Sequence, residues 1–189
     1  GLSELNRKPL VRGAHLATIP TPVASAILVS LIPLIINNIS TTDIIVNVEG
    51  GIDSLSGIES EVKEQLQKLQ KEFNSNININ LSEQEHRRGI RVETSLTTNV
   101  PFDEIFRLYE EYYDDHNMTY ILRDRKDYKE VEGSDKCLVS LIDKSNGQLV
   151  IDTIADAHLR GGAGDAVHVM NLFCGLHEKI GLTLKVNNF

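Results

Sequence analysis

Cysteine is scarce in this 189-residue sequence, which contains only Cys137 and Cys174. The two residues have no Cys-x-x-Cys spacing, and two thiols are too few for a disulfide framework. This usage fits a reducing compartment, so we expect a cytoplasmic protein. Cys137 begins a strand-like run and Cys174 lies in a predicted helix, with no cation nearby, so both are expected to be structural rather than reactive.

Blocks of basic residues are absent. Lysine and arginine number 19 against 27 aspartates and glutamates, which gives a net charge of −8 at pH 7. A surface of this sign repels the phosphate backbone, so we expect no nucleic-acid partner. The acidic groups at the end of one predicted helix fit a solvated helix end rather than a metal site. They are Glu110, Glu111, Asp114 and Asp115, with His116 beside them.

Apolar runs long enough to cross a membrane are also missing. The longest, residues 23–36, has 14 residues and is interrupted by Ser25, Ser30 and Pro33. A spanning helix needs about 18 to 20 apolar residues, so we expect no membrane anchor. Hydrophobic residues still make up 41% of the sequence, which is enough to bury the core of one domain.

The clearest ligand-binding pattern is a glycine-rich turn near the end of the sequence. Its members are Gly161, Gly162, Ala163 and Gly164, which follow a strand-like run and open a helix. Glycines let a backbone approach a ligand closely, and free N–H groups at a helix N-terminus attract phosphate or carboxylate. No Lys-Ser/Thr pair follows, so this is not a P-loop. The alternative is a tight connection that binds no ligand.

The helix after this turn has an apolar period of its own. Ala166, Val169, Met170 and Phe173 recur at i, i+3, i+4 and i+7. This spacing predicts an amphipathic helix with these four residues on its apolar face.

Three stretches of the sequence resemble one enzyme family. RGGAGDAVHVMNLFCGL, at residues 160–176, resembles the C-terminal signature of the N-acetyl-gamma-glutamyl-phosphate reductase and aspartate-semialdehyde dehydrogenase family. GLSELNR at residues 1–7 and VEGSDKC at residues 131–137 resemble the reductase branch. The stretches occur in the family's order, so the resemblance covers nearly the whole chain.

The resemblance is to the C-terminal half of that family. Family members begin with a nucleotide-binding unit, whereas this sequence has no Gly-x-Gly-x-x-Gly after an early strand. Residues 1–16 are polar and irregular and are interpreted as the connection from such a unit, with the semialdehyde-dehydrogenase-like domain at residues 17–189. The resemblance implies that the turn at residues 161–164 contacts NADP if a nucleotide-binding half is present, and that this chain alone binds none.

The catalytic residues of the family are not found at their expected positions. The family's nucleophile is a cysteine at the start of a buried helix, where the helix dipole lowers a thiol's pKa. The corresponding helix here is predicted at residues 17–35, and the resemblance places Thr21 or Pro22 at the cysteine position. Neither is a thiol, and a threonine hydroxyl would need an adjacent base, which the nearby sequence does not offer. The family's histidine is missing too, since none occurs between Ile44 and Gln84.

Arg88 is the candidate for binding substrate. The reductases carry an Arg-Gly pair at this point, and a guanidinium can hold a carboxylate bidentately, so the resemblance implies a small anionic substrate. The alternative is a solvated basic turn, in which His86 is a surface histidine. Asp165 and His168 replace the glutamines usual in the reductases, which counts against unchanged function.

The periodicity predicts three further helices besides the terminal one. Residues 17–35 form a Pro-initiated helix that Pro33 should end or kink near Ile32. A capping box of Ser56 and Glu59 opens the second, and a proline opens the third. The second and third helices are predicted at residues 56–73 and 101–113, and strands at 43–49, 76–81, 90–96, 119–122, 137–142 and 148–154, with Asn146-Gly147 as a hairpin turn. Residues 183–186 are predicted to be a last short strand or a tail.

These elements predict an α+β fold, with a mostly antiparallel mixed sheet and helices packed on one face. The resemblance implies a glyceraldehyde-3-phosphate-dehydrogenase-like C-terminal domain that forms a homodimer through its sheet. It further implies the C-terminal domain of an NADP-dependent oxidoreductase of amino-acid biosynthesis, of the arginine-biosynthesis type, which is not catalytic as it stands. The alternative is a non-catalytic dimerisation or regulatory module derived from that family.

Overall fold

The computed structural model of this chain describes residues 2–39, 43–50, 56–82 and 88–183. Within these ranges the chain forms five α-helices, six β-strands and short 3-10 and π turns. The helices are α1 (Ser3–Val11), α2 (Pro22–Ile36), α3 (Ile58–Leu69), α4 (Phe102–Tyr113) and α5 (Gly164–Phe173). The strands are β1 (Ile44–Gly50), β2 (Ile77–Ser82), β3 (Gly89–Thr97), β4 (Thr119–Leu122), β5 (Cys137–Asp143) and β6 (Gln148–Asp156).

The six strands form one mixed sheet in the order β2-β1-β3-β6-β5-β4. The pairs β1–β3, β3–β6 and β5–β6 are antiparallel, and the outer pairs β1–β2 and β4–β5 are parallel. The sequence prediction of a mostly antiparallel mixed sheet in an α+β fold is therefore confirmed. The hairpin is confirmed as well, since Asn146 and Gly147 join β5 to β6 with positive φ angles of 54° and 75°.

Helix α2 forms the centre of the core, between the sheet and the other helices. It packs on β3 and β6, and α3 and α4 pack on it. It carries no charged residue, and every residue from Val23 to Ile35 is buried. A helix that is apolar all round is stable only when it is covered on all sides. Among the described residues, no helix combines the length and the apolar character that crossing a membrane requires.

Pro33 does not end α2, so the first of the two outcomes that the sequence predicts for it, an end or a kink, is wrong. The helix continues to Ile36 because another group satisfies the carbonyl that a proline leaves without its usual N–H donor. The carbonyl of Val29, four residues earlier, accepts a hydrogen bond of 2.6 Å from the Tyr113 hydroxyl of α4. The next carbonyl, that of Ser30, accepts one from the Tyr109 hydroxyl. Burial raises the pKa of both tyrosines well above the usual range, so both remain donors.

Replacement of Tyr113 by phenylalanine should therefore cost about 1 to 3 kcal/mol of unfolding free energy, the usual penalty for leaving a buried carbonyl unpaired. In a Pro33→Ala background the cost should shrink, because the alanine N–H can reach Val29. Urea unfolding measures both values. Tyr120→Phe is the matched control, since its exposed hydroxyl bonds Asn117 at 3.2 Å and its loss should cost little. Equal costs in the two backgrounds would contradict this account of Pro33.

The first sixteen residues are more ordered than their polar sequence indicates. Residues 3–11 form α1, and Leu2 and Leu10 are buried. Leu10 packs with Val169 and Leu172 of α5. The prediction of an irregular connection is wrong because tertiary packing outweighs the weak helix propensity of this stretch. The division of the chain at residue 16 stays a prediction.

Helix α3 begins differently from the predicted capping box. Its N-cap is Gly57, with φ at +81°, and no side chain caps the helix. Glu59 instead forms an ion pair of 2.7 Å with Lys63, one turn later. The helix ends at Leu69 rather than at Phe73, although Phe73 is still part of the core. The predicted last strand or tail at residues 183–186 lies outside the described residues, except for Thr183.

Candidate functional site

Two of the sequence-predicted sites lie against each other at the start of α2. Thr21 is the N-cap of the helix and Pro22 is its first residue. Gly161 of the glycine-rich turn packs directly on Pro22, and a Cβ added at Gly161 would collide with the Pro22 Cα. Gly161 also has a φ of +78°, a conformation that other residues rarely adopt. The close approach that this glycine permits is thus to the protein's own backbone.

A carboxylate lies beside Thr21, which the sequence did not indicate. Glu61 of α3 accepts a hydrogen bond from the Thr21 hydroxyl (2.9 Å) and another from the Thr21 backbone N–H (3.0 Å). The expectation that no base lies near this hydroxyl is therefore wrong. Because the two residues are 40 positions apart, only the packing of α3 on α2 brings them together.

The other positions of the glycine-rich turn are also close-packed. The Gly161 N–H donates to the Asp165 carboxylate at 2.8 Å, and a Cβ at Gly164 would collide with the Asp135 carboxylate. The members with exposed surface are Gly162 and Ala163. Protein atoms fill the spaces beside Gly161 and Gly164, so a ligand could not approach the backbone there. Contact between the rest of this turn and NADP stays a prediction.

Helix α5 buries a different face from the one its apolar period predicts. Ala166, Met170 and Phe173 are exposed, although Val169 is buried as expected. The reason is that three polar residues of α5 take part in buried hydrogen bonds, so their face points inward. The buried residues of α5 are Gly164, Asp165, His168, Val169, Asn171 and Leu172.

Arg160 is the centre of this buried polar network. Its side chain is only 3% exposed and forms ion pairs with Glu4 of α1 and with Asp165, the latter at 2.9 Å. Burial alone would raise the pKa of Glu4, but the lowering effects together outweigh it, with the Arg160 charge the largest of them and that of His116 next, and bring the pKa to about 2. Burial raises the pKa of Asp165, despite the same guanidinium, and the two carboxylates raise the pKa of Arg160.

A second part of the network joins α1, α5 and the segment that follows α5. His168 Nε2 lies 3.2 Å from a Glu178 oxygen, and Arg7 lies 3.3 Å from the other. Burial lowers the pKa of His168. Asn171 donates to the backbone oxygens of Glu178 and Ile180. Asp165 and His168 therefore have structural roles here. Membership of Glu4, Arg160 and Glu178 in this network could not be predicted, because Glu4 lies 156 positions from Arg160 and Arg7 lies 171 positions from Glu178.

Arg88 directly precedes β3 and lies beside Asp156, the last residue of β6. Its Nε is 2.5 Å from an oxygen of Asp156, which is fully buried, while 49% of the Arg88 side chain is exposed. Asp156 also accepts the backbone N–H groups of Gly133 (2.8 Å) and His158 (3.0 Å). This anchored guanidinium still reaches solvent, so substrate binding by Arg88 stays a prediction. His86 lies outside the described residues.

The two cysteines lie in unlike surroundings. Cys137 is fully buried at the start of β5, and burial raises the pKa of its thiol to about 12, which makes it unreactive. Cys174 is exposed and follows the last residue of α5, so its predicted place inside the helix is wrong. In the part of the chain that the structure describes, no group of three or more His, Cys, Asp or Glu residues has the arrangement of a metal site.

Comparison with known proteins places this fold and these residues in a common context. A family model described as "Semialdehyde dehydrogenase, dimerisation domain" matches residues 57–157. The N-acetyl-gamma-glutamyl-phosphate reductase of Parabacteroides distasonis is 34% identical over an alignment that includes all of this chain and 66% of that relative. The reductase of the same name from Bacteroides thetaiotaomicron is 33% identical with the same coverage. The chain thus spans 66% of the length of these relatives.

Solved structures share the fold at lower sequence identity. A probable aspartate-semialdehyde dehydrogenase from Pseudomonas aeruginosa has a TM-score of 0.70 at 14% identity, covering 92% of this chain and 67% of that one. Aspartate-semialdehyde dehydrogenase II from Vibrio cholerae has a TM-score of 0.68 at 15% identity, covering 93% and 68%. At these identities the match concerns the fold alone.

Proposed function

This chain belongs to the semialdehyde dehydrogenase family, in the part described as its dimerisation domain, and we propose that it is such a domain without a catalytic nucleophile of its own. The observation that carries the proposal is the start of α2, where Thr21 and Pro22 stand at the position that the family resemblance gives to a cysteine. Formation of an acyl intermediate needs an ionisable nucleophile, and a thiolate at a helix N-terminus meets that need. A proline has no nucleophilic atom, and a threonine hydroxyl is a poor substitute.

Two roles are compatible with this proposal. In the first, the chain is the substrate-binding half of an acyl-phosphate reductase of the kind its relatives are named for, with Arg88 holding an anionic substrate. In the second, it is a dimerisation or regulatory module that has kept the fold and lost the chemistry. The second is favoured by Glu61, whose carboxylate accepts hydrogen bonds from both donors of Thr21, the hydroxyl and the backbone N–H.

A nucleotide-binding half would find an apolar surface ready on this domain. The side chains of Val11 on α1 and of Met170, Phe173 and Leu176 on and after α5 are 58%, 52%, 39% and 48% exposed. Val11 and Leu176 line one surface pocket, and Met170 and Phe173 lie three positions apart on α5. Exposed apolar side chains that lie close to one another mark surfaces that another folded unit covers. About a third of each relative lies outside the match with this chain, which leaves room for such a unit. This supports a nucleotide-binding half as the unit that covers the surface.

We expect this chain alone to bind no NADPH at micromolar concentration. Tight binding needs most of a ligand to be enclosed, and only Gly162 and Ala163 of the predicted turn offer exposed surface. Isothermal titration calorimetry of NADPH into the chain measures this, with the full-length Parabacteroides distasonis relative titrated in parallel. A Kd in the micromolar range for this chain would contradict the proposal that a nucleotide-binding half is required.

We propose a homodimer that associates through strands rather than helix ends. Ile45 of β1 is 44% exposed on the sheet face opposite the core, because its neighbours Ile44 and Val46 are buried. A stable dimer needs about 1,200 Å² or more of buried surface, which a chain of this size can supply. Sedimentation equilibrium at micromolar concentration should give twice the chain mass. Ile45→Asp should shift the protein to a monomer, whereas the matched Met170→Asp on α5 should not, and a monomeric parent chain would refute the proposal.

A further inference from the structure

The carboxylate of Glu61 lies across the N-terminal end of α2. Each of its oxygens accepts a hydrogen bond from Thr21, one from the hydroxyl and one from the backbone N–H. The neighbouring acidic residues of α3, Glu59 and Glu64, pair with lysines four positions later. The residue four positions after Glu61 is the uncharged Gln65, and within the described ranges Glu61 has no cationic partner. Its contacts are thus with the helix end.

An anion in this position changes the electrostatics of α2. The N-terminus of a helix carries the equivalent of about half a positive charge, which stabilises a nearby anion. That field would normally favour a thiolate or an anionic reactant at residue 21 or 22. With Glu61 already there, a second anion meets a like charge, which disfavours its ionised form.

Donor groups in the turn that packs on this helix end also pair with carboxylates of the protein. The Gly161 N–H, which packs beside Pro22, donates to Asp165. Arg160 forms ion pairs with Asp165 and Glu4. Internal carboxylates thus accept hydrogen bonds from Thr21 and from the Gly161 N–H, and they pair with the Arg160 guanidinium.

We propose that the Glu61 carboxylate occupies the start of α2 in place of an anionic reactant. It thereby blocks this helix end as a site for a thiolate or an anionic substrate. The inference rests on the proposed function, a domain without a nucleophile. It explains what occupies the start of α2, the helix end at which the family resemblance places the catalytic cysteine. It makes a further claim of its own: restoring a thiol would not restore a reactive thiolate while Glu61 is present.

The test introduces a reporter thiol with Pro22→Cys, in a chain in which Cys174→Ser removes the exposed native thiol. The pKa of the new thiol is read from the pH dependence of its alkylation by iodoacetamide, and circular dichroism checks the fold. Adding Glu61→Gln, which keeps the shape and removes the charge, should lower that pKa by about one unit, a tenfold gain in thiolate below the pKa. Glu64→Gln, on the exposed face of α3, is the matched control and should leave the pKa unchanged.

The proposal is overturned if the pKa of the introduced thiol is the same with and without Glu61→Gln. If Pro22→Cys does not fold, Thr21→Cys places the reporter at the N-cap and is judged by the same comparison. The readout involves no catalysis, so it is separate from the proposed function. NADPH production by the chain joined to a nucleotide-binding half would refute the proposed function and leave the thiol pKa untouched, whereas an unchanged thiol pKa would refute only the role of Glu61.

Discussion

Joined to the nucleotide-binding half of a full-length relative, this chain should produce no NADPH from N-acetylglutamate semialdehyde and phosphate. In this reaction an enzyme nucleophile adds to the aldehyde, a hydride passes from the adduct to added NADP⁺, and phosphate displaces the nucleophile from the acyl intermediate. The start of α2 offers Thr21 and Pro22 where the thiolate nucleophile is needed. Removing a covalent nucleophile costs on the order of 10⁴ to 10⁶ in kcat, judging from nucleophile deletions in proteases. The assay follows NADPH absorbance under saturating substrate.

The control is the relative's own C-terminal half, joined to the same nucleotide-binding half at the same point. It should be active, which shows that the joint does no harm. Turnover by this chain above about 1 s⁻¹, an ordinary if low enzymatic rate, would contradict the expectation. Thr21 would then be the first suspect, because Glu61 lies within hydrogen-bond distance of its hydroxyl and could act as its base. Thr21→Ala should abolish such a rate.

Arg160→Met should destabilise the protein by about 3 to 5 kcal/mol, the largest loss we expect from a single substitution near this site. The reason is that Glu4 and Asp165 would stay buried without the guanidinium that neutralises them. The Glu4 pKa, which lies at about 2 despite burial with the Arg160 charge as the largest lowering effect, indicates a carboxylate that is ionised at neutral pH. Urea unfolding at pH 7 measures the loss.

Two variants make this prediction specific. Arg107→Met removes an exposed arginine that lies 3.7 Å from Glu111 on α4, and it should cost less than about 0.5 kcal/mol. Adding Glu4→Gln and Asp165→Asn to Arg160→Met removes the stranded charges and should recover at least half of the loss. A cost for Arg160→Met as small as that for Arg107→Met would show that water reaches this network.

Strand β3 could be predicted from sequence because it buries alternate residues. Alternation in residues 90–96 places apolar side chains on the core face, and the observed strand has this register. In β2 the alternation holds only at its start, since Ile77 is buried and Leu81 is 40% exposed, and β5 and β6 are buried on both faces along most of their length. The Pro-initiated helix α2 could be predicted because it is apolar on every side, so its burial does not depend on which face points inward. In both cases the signal is local.

The parts of the site that could not be predicted depend on contacts between distant residues. Tyr113 lies 84 positions from the carbonyl of Val29 that it satisfies, so nothing close to Pro33 indicates that α2 continues. The inward face of α5 is set by Arg160 and by Glu178, and an apolar period cannot register polar groups that are buried together. The same holds for Glu61 and Thr21, which only the packing of α3 on α2 brings into contact.

The central position of α2 also affects how the chain emerges from the ribosome. The helix, residues 22–36, is synthesised well before β6, one of the two strands that it packs on, which ends at residue 156. At about 5 to 20 residues per second, more than 100 further residues take on the order of 10 s to make. During that time this apolar helix lacks at least one of the two strands that cover it. Nascent chains released before residue 148 should therefore be strong substrates for chaperones, whereas chains released after residue 156 should not.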